Sequence, residues 1–307
     1  MALSILSNQS ASKAASSLHQ SSKALQKSLT RLSSGKKINS PADDSGGLAV
    51  SMKLSSAIGR NKSVISNIQN ALSFAEVQDG ALGSSVKIID RMSELKTLST
   101  DVIKSASDIE NYNVEFKALQ EQLHSITTEK FNGISLFGRG AQAGGADLAF
   151  GGATSVDVSV FTTDQGSAGA AVMLSKELLL SALTFNNNGV AAVSNLAFGA
   201  ASSITIANDK DTTKIEITAL SIANFTKAIE NISSMRASNG ASMARLQLGE
   251  DHARLTKANL EAANSRIMDV DVAEESTRFA KYNILTQASA AMLSQANQAT
   301  STALLLL

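Results

Sequence analysis

Between Ile65 and Ile89 the apolar residues Ile65, Ile68, Leu72, Ala75, Leu82, Val86 and Ile89 recur at spacings of three, four and seven. A strand alternates with a period of two, so a stripe of this length requires a long helix that buries one face against other helices. Asp79 sits in the position the stripe skips. The 307-residue chain holds a single proline, so almost nowhere is a helix forced to stop. It has no Cys, no Trp and 4% aromatic residues. Buried surface must therefore come from Leu, Ile, Val, Met and Ala, which suits helix bundles better than a compact enzyme core.

The same period extends to both ends. Leu18, Leu25 and Leu32 lie seven apart, with Ala15, Ser22 and Leu29 read as the other seam position, and Gly35 follows where a helix C-cap needs positive φ. The stretch NSPADDSGGLAVS then reads as a hinge in which Ser40 or Asp43 caps the next helix. After a polar break at Ser105 to Asn113, Phe116, Leu119, Leu123 and Ile126 predict a second, antiparallel helix. From Ile222 the period returns in Phe225, Ile229, Ile232, Met243, Leu246, Ala253, Leu260 and Ile267. Asp271 with Glu274 reads as a capping box opening a last helix, whose stripe is Leu285, Ala288, Met292 and Ala299. Both terminal segments are rich in Ser, Ala and Gln and bury too little apolar surface to stand alone, so each is expected to order against a partner.

Residues 138–221 break the pattern, holding 10 of the 19 glycines and few charges. Val156 to Val160, Ile204 to Ile206 and Lys214 to Thr218 alternate as short strands, and Asn186-Asn187-Asn188-Gly189 and Asn208-Asp209 carry turn chemistry. The expected class is mainly α, a long antiparallel helical hairpin or coiled-coil rod with a small β-rich insertion.

Several functions are disfavoured. Charges balance at 27 against 27, which offers no field for nucleic acid or anionic lipid. Apolar runs fall far short of the roughly 20 residues that span a bilayer, and the N-terminus lacks the basic and apolar regions of a secretory signal. His19, His124 and His252 are scattered without ligand spacing, so no metal site and no cofactor are expected. Gly138-Arg139-Gly140 with Gly144 has the wrong spacing for a phosphate loop. Asp43 and Asp44 read as acidic groups at a helix start rather than as a catalytic pair. No catalytic residue is expected.

Two long motifs carry a resemblance. Leu29 to Ser51 reads LTRLSSGKKINSPADDSGGLAVS, Asn259 to Glu275 reads NLEAANSRIMDVDVAEE, and QASAAMLSQANQ follows. Over about 1–138 and 222–307 the chain resembles the bacterial flagellins. That resemblance implies an inner coiled-coil domain from 1–43 with 269–307, a helical rod from 44–138 with 222–268, and a variable surface segment at 139–221. It also implies polymerisation with copies of itself outside the cell after unfolded export by the flagellar type III system. A flagellin chaperone, the filament cap and hook-junction proteins are the implied partners.

The polymerisation seam is expected to join Leu18, Leu25, Leu29 and Leu32 to Ile284, Leu285, Ala288 and Met292 once neighbouring subunits shield them. Within DRMSELKTL, Asp90 to Leu98, the residues Arg91, Glu94 and Leu95 match the pattern that an innate-immune Toll-like receptor recognises on many flagellins. Ser93 stands where strongly recognised forms carry a second Arg, and the acidic residue of the following helix is expected to be replaced near Ala118. Weak or absent receptor activation follows, because Ser cannot replace a guanidinium fork. The same face is also expected to contact a neighbouring subunit. Alternatives are a hook–filament junction protein and a flagellin-derived adhesin or enzyme acting through the insertion.

Overall fold

The computed structural model describes residues 8–138, 156–186, 203–207 and 214–305. Helices α1 (Gln9–Ser34), α2 (Ser45–Ser99) and α3 (Ala106–Thr127) come first, then a hairpin of β1 (Lys130–Phe131) and β2 (Ile134–Ser135). Strands β3 (Val156–Phe161) and β4 (Ala171–Lys176), the short α4 (Leu179–Ala182), and β5 (Thr184–Asn186) and β6 (Ser203–Thr205) precede the long α5 (Ile222–Met268) and α6 (Val272–Leu305). Each sheet is a two-stranded antiparallel pair, and the helices supply most of the packing, so the expected mainly α class holds. The chain divides into two compact units, Met1–Gly59 with Thr256–Leu307 and Arg60–Leu255, the boundary falling inside α2 and α5.

In the first unit α1 and α6 run antiparallel. Asn8 at the start of α1 donates from Nδ2 to the carbonyl of Ala296 near the end of α6 (2.9 Å), and Ser28 reaches Glu275 at its start. Asn8 also caps α1 by accepting from the Ala11 N–H (2.9 Å), and Gly35 closes it at φ +67°. The two exits are then tied by an antiparallel bridge: Lys37 N–H donates to Met268 O (2.6 Å) and Val270 N–H to Gly35 O (3.1 Å).

Asp44, not Ser40 or Asp43, caps α2, its Oδ1 accepting from Gly47 N–H at 2.9 Å. Asp43 is engaged elsewhere: it pairs with Lys27 at 2.5 Å and accepts from the N–H groups of Asn39 and Ser40. Those bonds, that to Lys27 foremost, hold its carboxyl at about 2, well below the ordinary value.

The second unit is held by a continuous apolar core. Ile68, Leu82, Ile89, Met92 and Leu95 of α2 meet Phe116 and Leu123 of α3 and Phe225, Ile232 and Leu246 of α5, all fully shielded. Phe116 and Phe225 stack edge to face at 6.1 Å, as do Phe74 and Phe131. α2 and α5 are antiparallel, since Gln69 bonds Glu250, Asn239 bonds the carbonyl of Ala75 and Arg236 bonds Asp79 in descending order. Buried amides clip the remaining pieces on. Gln78 Nε2 donates to the carbonyls of Leu136 (3.1 Å) and Ser175 (3.3 Å), and Asn231 to that of Ala182 (2.9 Å). Each satisfies a main-chain carbonyl that would otherwise be stranded in the interior.

Several sequence expectations need correction. The break after α2 is only 100–105, because Ser105 and Asp108 form a reciprocal capping box that starts α3 at Ala106. At the start of α6 only half of the expected box forms. Asp271 accepts from the N–H groups of Ala273 and Glu274, but the Glu274 carboxylate pairs with Arg278 at 2.6 Å.

Lys214 to Thr218 is not a strand. Its main chain is taken up by α3 side chains, Gln120 donating to Ile215 O and Asn113 accepting from Ile217 N–H, and a 3₁₀ turn follows at Ile217–Ala219. The expected strand at Ile204 to Ile206 is β6, one residue earlier, and Val156 to Val160 is β3. The β1–β2 hairpin, β4 and β5 were not anticipated. The turn residues Asn187 to Gly189, Asn208 and Asp209, and Arg139, Gly140 and Gly144, lie outside the described residues.

Candidate functional site

The pairing of α1 with α6 selects one face of each helix. On α1 the shielded row is Ala11, Ala14, Leu18, Ser21, Leu25, Ser28 and Leu32, flanked by the half-buried Ala24 and Arg31, and on α6 it is Glu275, Phe279, Tyr282, Thr286, Ser289, Leu293 and Ala296, flanked by Asn283. Both series step by alternating threes and fours, the spacing of a coiled-coil seam. Leu18, Leu25 and Leu32 are thus half-buried within one chain, and the alternate seam positions are Ala14, Ser21 and Ser28, one residue before the expected Ala15, Ser22 and Leu29.

The remaining expected seam residues lie on other faces. Leu29 is 54% exposed, Ile284 66%, Leu285 40% and Met292 66%, and Ala288 is exposed beside them. Ile284, Leu285, Ala288 and Met292 therefore do not meet Leu18, Leu25 and Leu32 inside the chain; they form a second apolar stripe on α6. The side chain of Ala299, the expected end of that stripe, lies outside the described residues. A water-facing row of this kind is unusual on a helix whose opposite face is only thinly covered. The missed signal was the aromatic pair Phe279 and Tyr282, three residues apart, which with Leu293 lies on the inward face.

On the second unit, Arg91 lies on an exposed face of α2 and is held by two carboxylates. Its Nε and Nη2 donate to Glu115 of α3 at 2.8 and 3.2 Å, and Nη1 to Glu94 at 3.0 Å. Glu115 and then Glu94 raise the guanidinium above its usual value. The acidic residue of α3 that Arg91 meets is Glu115, three positions before Ala118. Leu95 is fully buried in the core, so it supports the patch from beneath instead of lying on its surface.

Among the described residues no helix is long and apolar enough to cross a membrane.

Comparison with known proteins follows the same division into ends and middle. The family model for the bacterial flagellin N-terminal helical region matches residues 5–141, and that for the C-terminal helical region matches 222–307. The flagellar filament 33 kDa core protein of Treponema phagedenis is 33% identical over 302 residues, covering 98% of each chain. The flagellin of Bacillus subtilis strain 168 is 32% identical over 301 residues, covering 92% of each. A crystal structure of Bacillus cereus flagellin aligns with a TM-score of 0.42 at 22% identity, over 61% of this chain and 88% of that one. Flagellins are structural proteins, not enzymes. The chain belongs to the bacterial flagellin family.

Proposed function

We propose that this chain is the repeating subunit of a bacterial flagellar filament, and that polymerisation covers the second apolar stripe of α6. The observation that carries this reading is the exposure of Ile284, Leu285 and Met292 on α6 and of Leu29 on α1, helices whose other faces already pair within the chain. Burying such side chains is worth roughly 1.5–3 kcal/mol each when complete. A non-closing contact repeated between copies of one chain yields an open helical polymer.

The assembly serves motility outside the cell. Export through the flagellar type III system, with a flagellin chaperone, the filament cap and hook-junction proteins as partners, completes the reading. The absence of Cys suits passage of an unfolded chain, since no disulfide has to be broken or made.

Seeding the purified protein with filament fragments and imaging it by electron microscopy tests the proposal. Long filaments are expected; a short junction piece or an inert monomer overturns it. Ile284→Asp combined with Met292→Asp is expected to leave monomer helicity unchanged and to stop elongation. Normal filaments from that variant would reject the stripe as the seam.

The Arg91 patch supports a second role as a weak receptor ligand. Arg91 is committed to Glu115 and Glu94 in the free chain, and Ser93 supplies no further guanidinium. Reporter cells bearing the Toll-like receptor are expected to respond feebly to nanomolar monomer; a strong response refutes this role.

A further inference from the structure

We infer that the groove walled by α2, the β1–β2 hairpin and β3 binds the end of a neutral glycan, one or two pyranose rings. Its volume is about 510 Å³, within the roughly 300–1,000 Å³ of small-ligand sites. Ala71 makes the room. On α2 it stands between Asn67 and Phe74, and its methyl leaves space that a larger side chain would fill.

The lining combines two chemistries. Phe74 and Leu174 are shielded, Phe131 is half-buried and Phe161 is 37% exposed, so an aromatic ring remains open to a ligand. Around them stand Asn67 and Asn70, neighbours on the surface of α2, Asn132 at the hairpin turn and Ser159 on β3. All four are exposed, and their side chains make no hydrogen bond to any described residue. Asn113, Asn231 and Asn239 of the same unit, by contrast, are each spent on main-chain groups. No described residue lining the groove is charged.

These properties select the occupant. A phosphate or carboxylate would lose its water and meet no counter-charge, so the ligand is neutral. An aliphatic occupant would suit the rings but would cover three carboxamides and a hydroxyl without pairing them. A pyranose answers both demands. One face of its ring is a patch of C–H groups that packs on an aromatic side chain, and the hydroxyls around its edge both donate and accept, as a carboxamide does. An extended peptide carries donors and acceptors too, but it docks by continuing the ladder of a strand edge. Three of the four polar groups lie off any strand, on α2 and at the turn.

Saturation-transfer NMR on the full-length chain tests the inference, with the methyl glycosides of lactose, cellobiose and N,N′-diacetylchitobiose as probes. At least one is expected to receive saturation, chiefly at the C–H groups of one ring face. Asn67→Ala combined with Asn70→Ala should weaken its binding about tenfold or more, the loss of two hydrogen bonds. Alanine is the better helix former, so this variant keeps α2 intact. Ala71→Leu, which narrows the groove and removes no polar group, should abolish binding. Ser73→Ala, exposed on α2 and outside the lining, should leave it unchanged.

No transfer to any of the three probes overturns the inference. So does transfer that survives the paired Asn67 and Asn70 substitutions, which would place the sugar elsewhere on the chain. Transfer is also expected from sedimented filaments; its loss on assembly would assign the groove to a neighbouring copy and overturn a glycan site. Failure of the chain to elongate from seeds would reject the proposed function and leave the free-chain result standing.

Discussion

In the core around Phe116 and Phe225 the heptad positions hold Phe, Ile, Leu and Met and are shielded completely; in the α1–α6 seam the equivalent positions hold mostly Ala, Ser and Thr, and its larger residues, Leu18, Leu25, Leu32, Phe279, Tyr282 and Leu293, are only partly shielded. Both regions obey the same spacing, so periodicity does not separate them. Side-chain volume does. The core can stand as a folded body in a single copy, whereas the terminal pair gains so little from burial that a second set of contacts has to complete it. The lesson is that one repeat can encode either self-sufficiency or dependence on neighbours, according to how much apolar surface each position carries.

The strongest challenge to that contrast is Phe225→Ala. It should cost about 3–5 kcal/mol of unfolding free energy in the second unit, measured by denaturant titration of the monomer. A loss below about 1 kcal/mol would mean that the core is no better packed than the seam. Leu25→Asp should do the opposite, leaving the thermal midpoint of the second unit unchanged while abolishing polymerisation; normal filaments from it would show that the seam tolerates a charge and needs no completion.

Asn239→Ala comes next. It removes the buried bond from Nδ2 to the carbonyl of Ala75 (2.8 Å), an additional bond on a carbonyl inside α2, and should cost about 1–1.5 kcal/mol. Arg236→Ala, which removes an exposed two-bond pair with Asp79 on the same two helices, should cost less than about 1 kcal/mol. Comparable losses for the two would erase the distinction between buried and surface polar contacts.

Acid gives the smallest effect, one confined to the first unit's junction. The folded Asp43 carboxyl titrates at about 2, below its ordinary 3.8, so its contribution is complete above the ordinary value and is lost as pH falls toward 2. A carboxyl-resolved NMR titration should place Asp43 well below an unpaired Asp, and Lys27→Met should return it upward. A midpoint near 4 in the parent chain would mean that the Lys27 pair does not persist in solution.

Much of this was legible from residue spacing. The stripe from Ile65 to Ile89, the return of the period at Phe225 and the stop at Gly35 name faces and ends because 3.6-residue geometry and positive φ leave few alternatives. The terminal seam was read one residue out because Leu29 and Leu285 are larger than the neighbouring Ser28 and Thr286 that face inward. In a helix with two apolar faces, size alone does not say which face pairs within the chain. The hairpin at Asn132-Gly133 was missed although Asn-Gly is a strong turn signal, with φ of +49° and +79° here. Its strands are two residues long, too short for alternation to register. Lys214 to Thr218 failed for the reverse reason. It alternates like a strand, but its hydrogen bonds go to Gln120 and Asn113, partners no local pattern reveals.

Gln78 has a mechanical consequence. One amide nitrogen spends both of its hydrogens, one on the carbonyl that ends the hairpin and one on a carbonyl of β4, so two pieces remote in sequence are pinned to the same point of α2. A load that displaces the hairpin is passed toward the sheet through this atom and through the Gly138 N–H, which donates to the Glu177 carbonyl just past β4 (3.0 Å). Turning that nitrogen into an oxygen, as in Gln78→Glu, would set an anion against two carbonyls and release both at once.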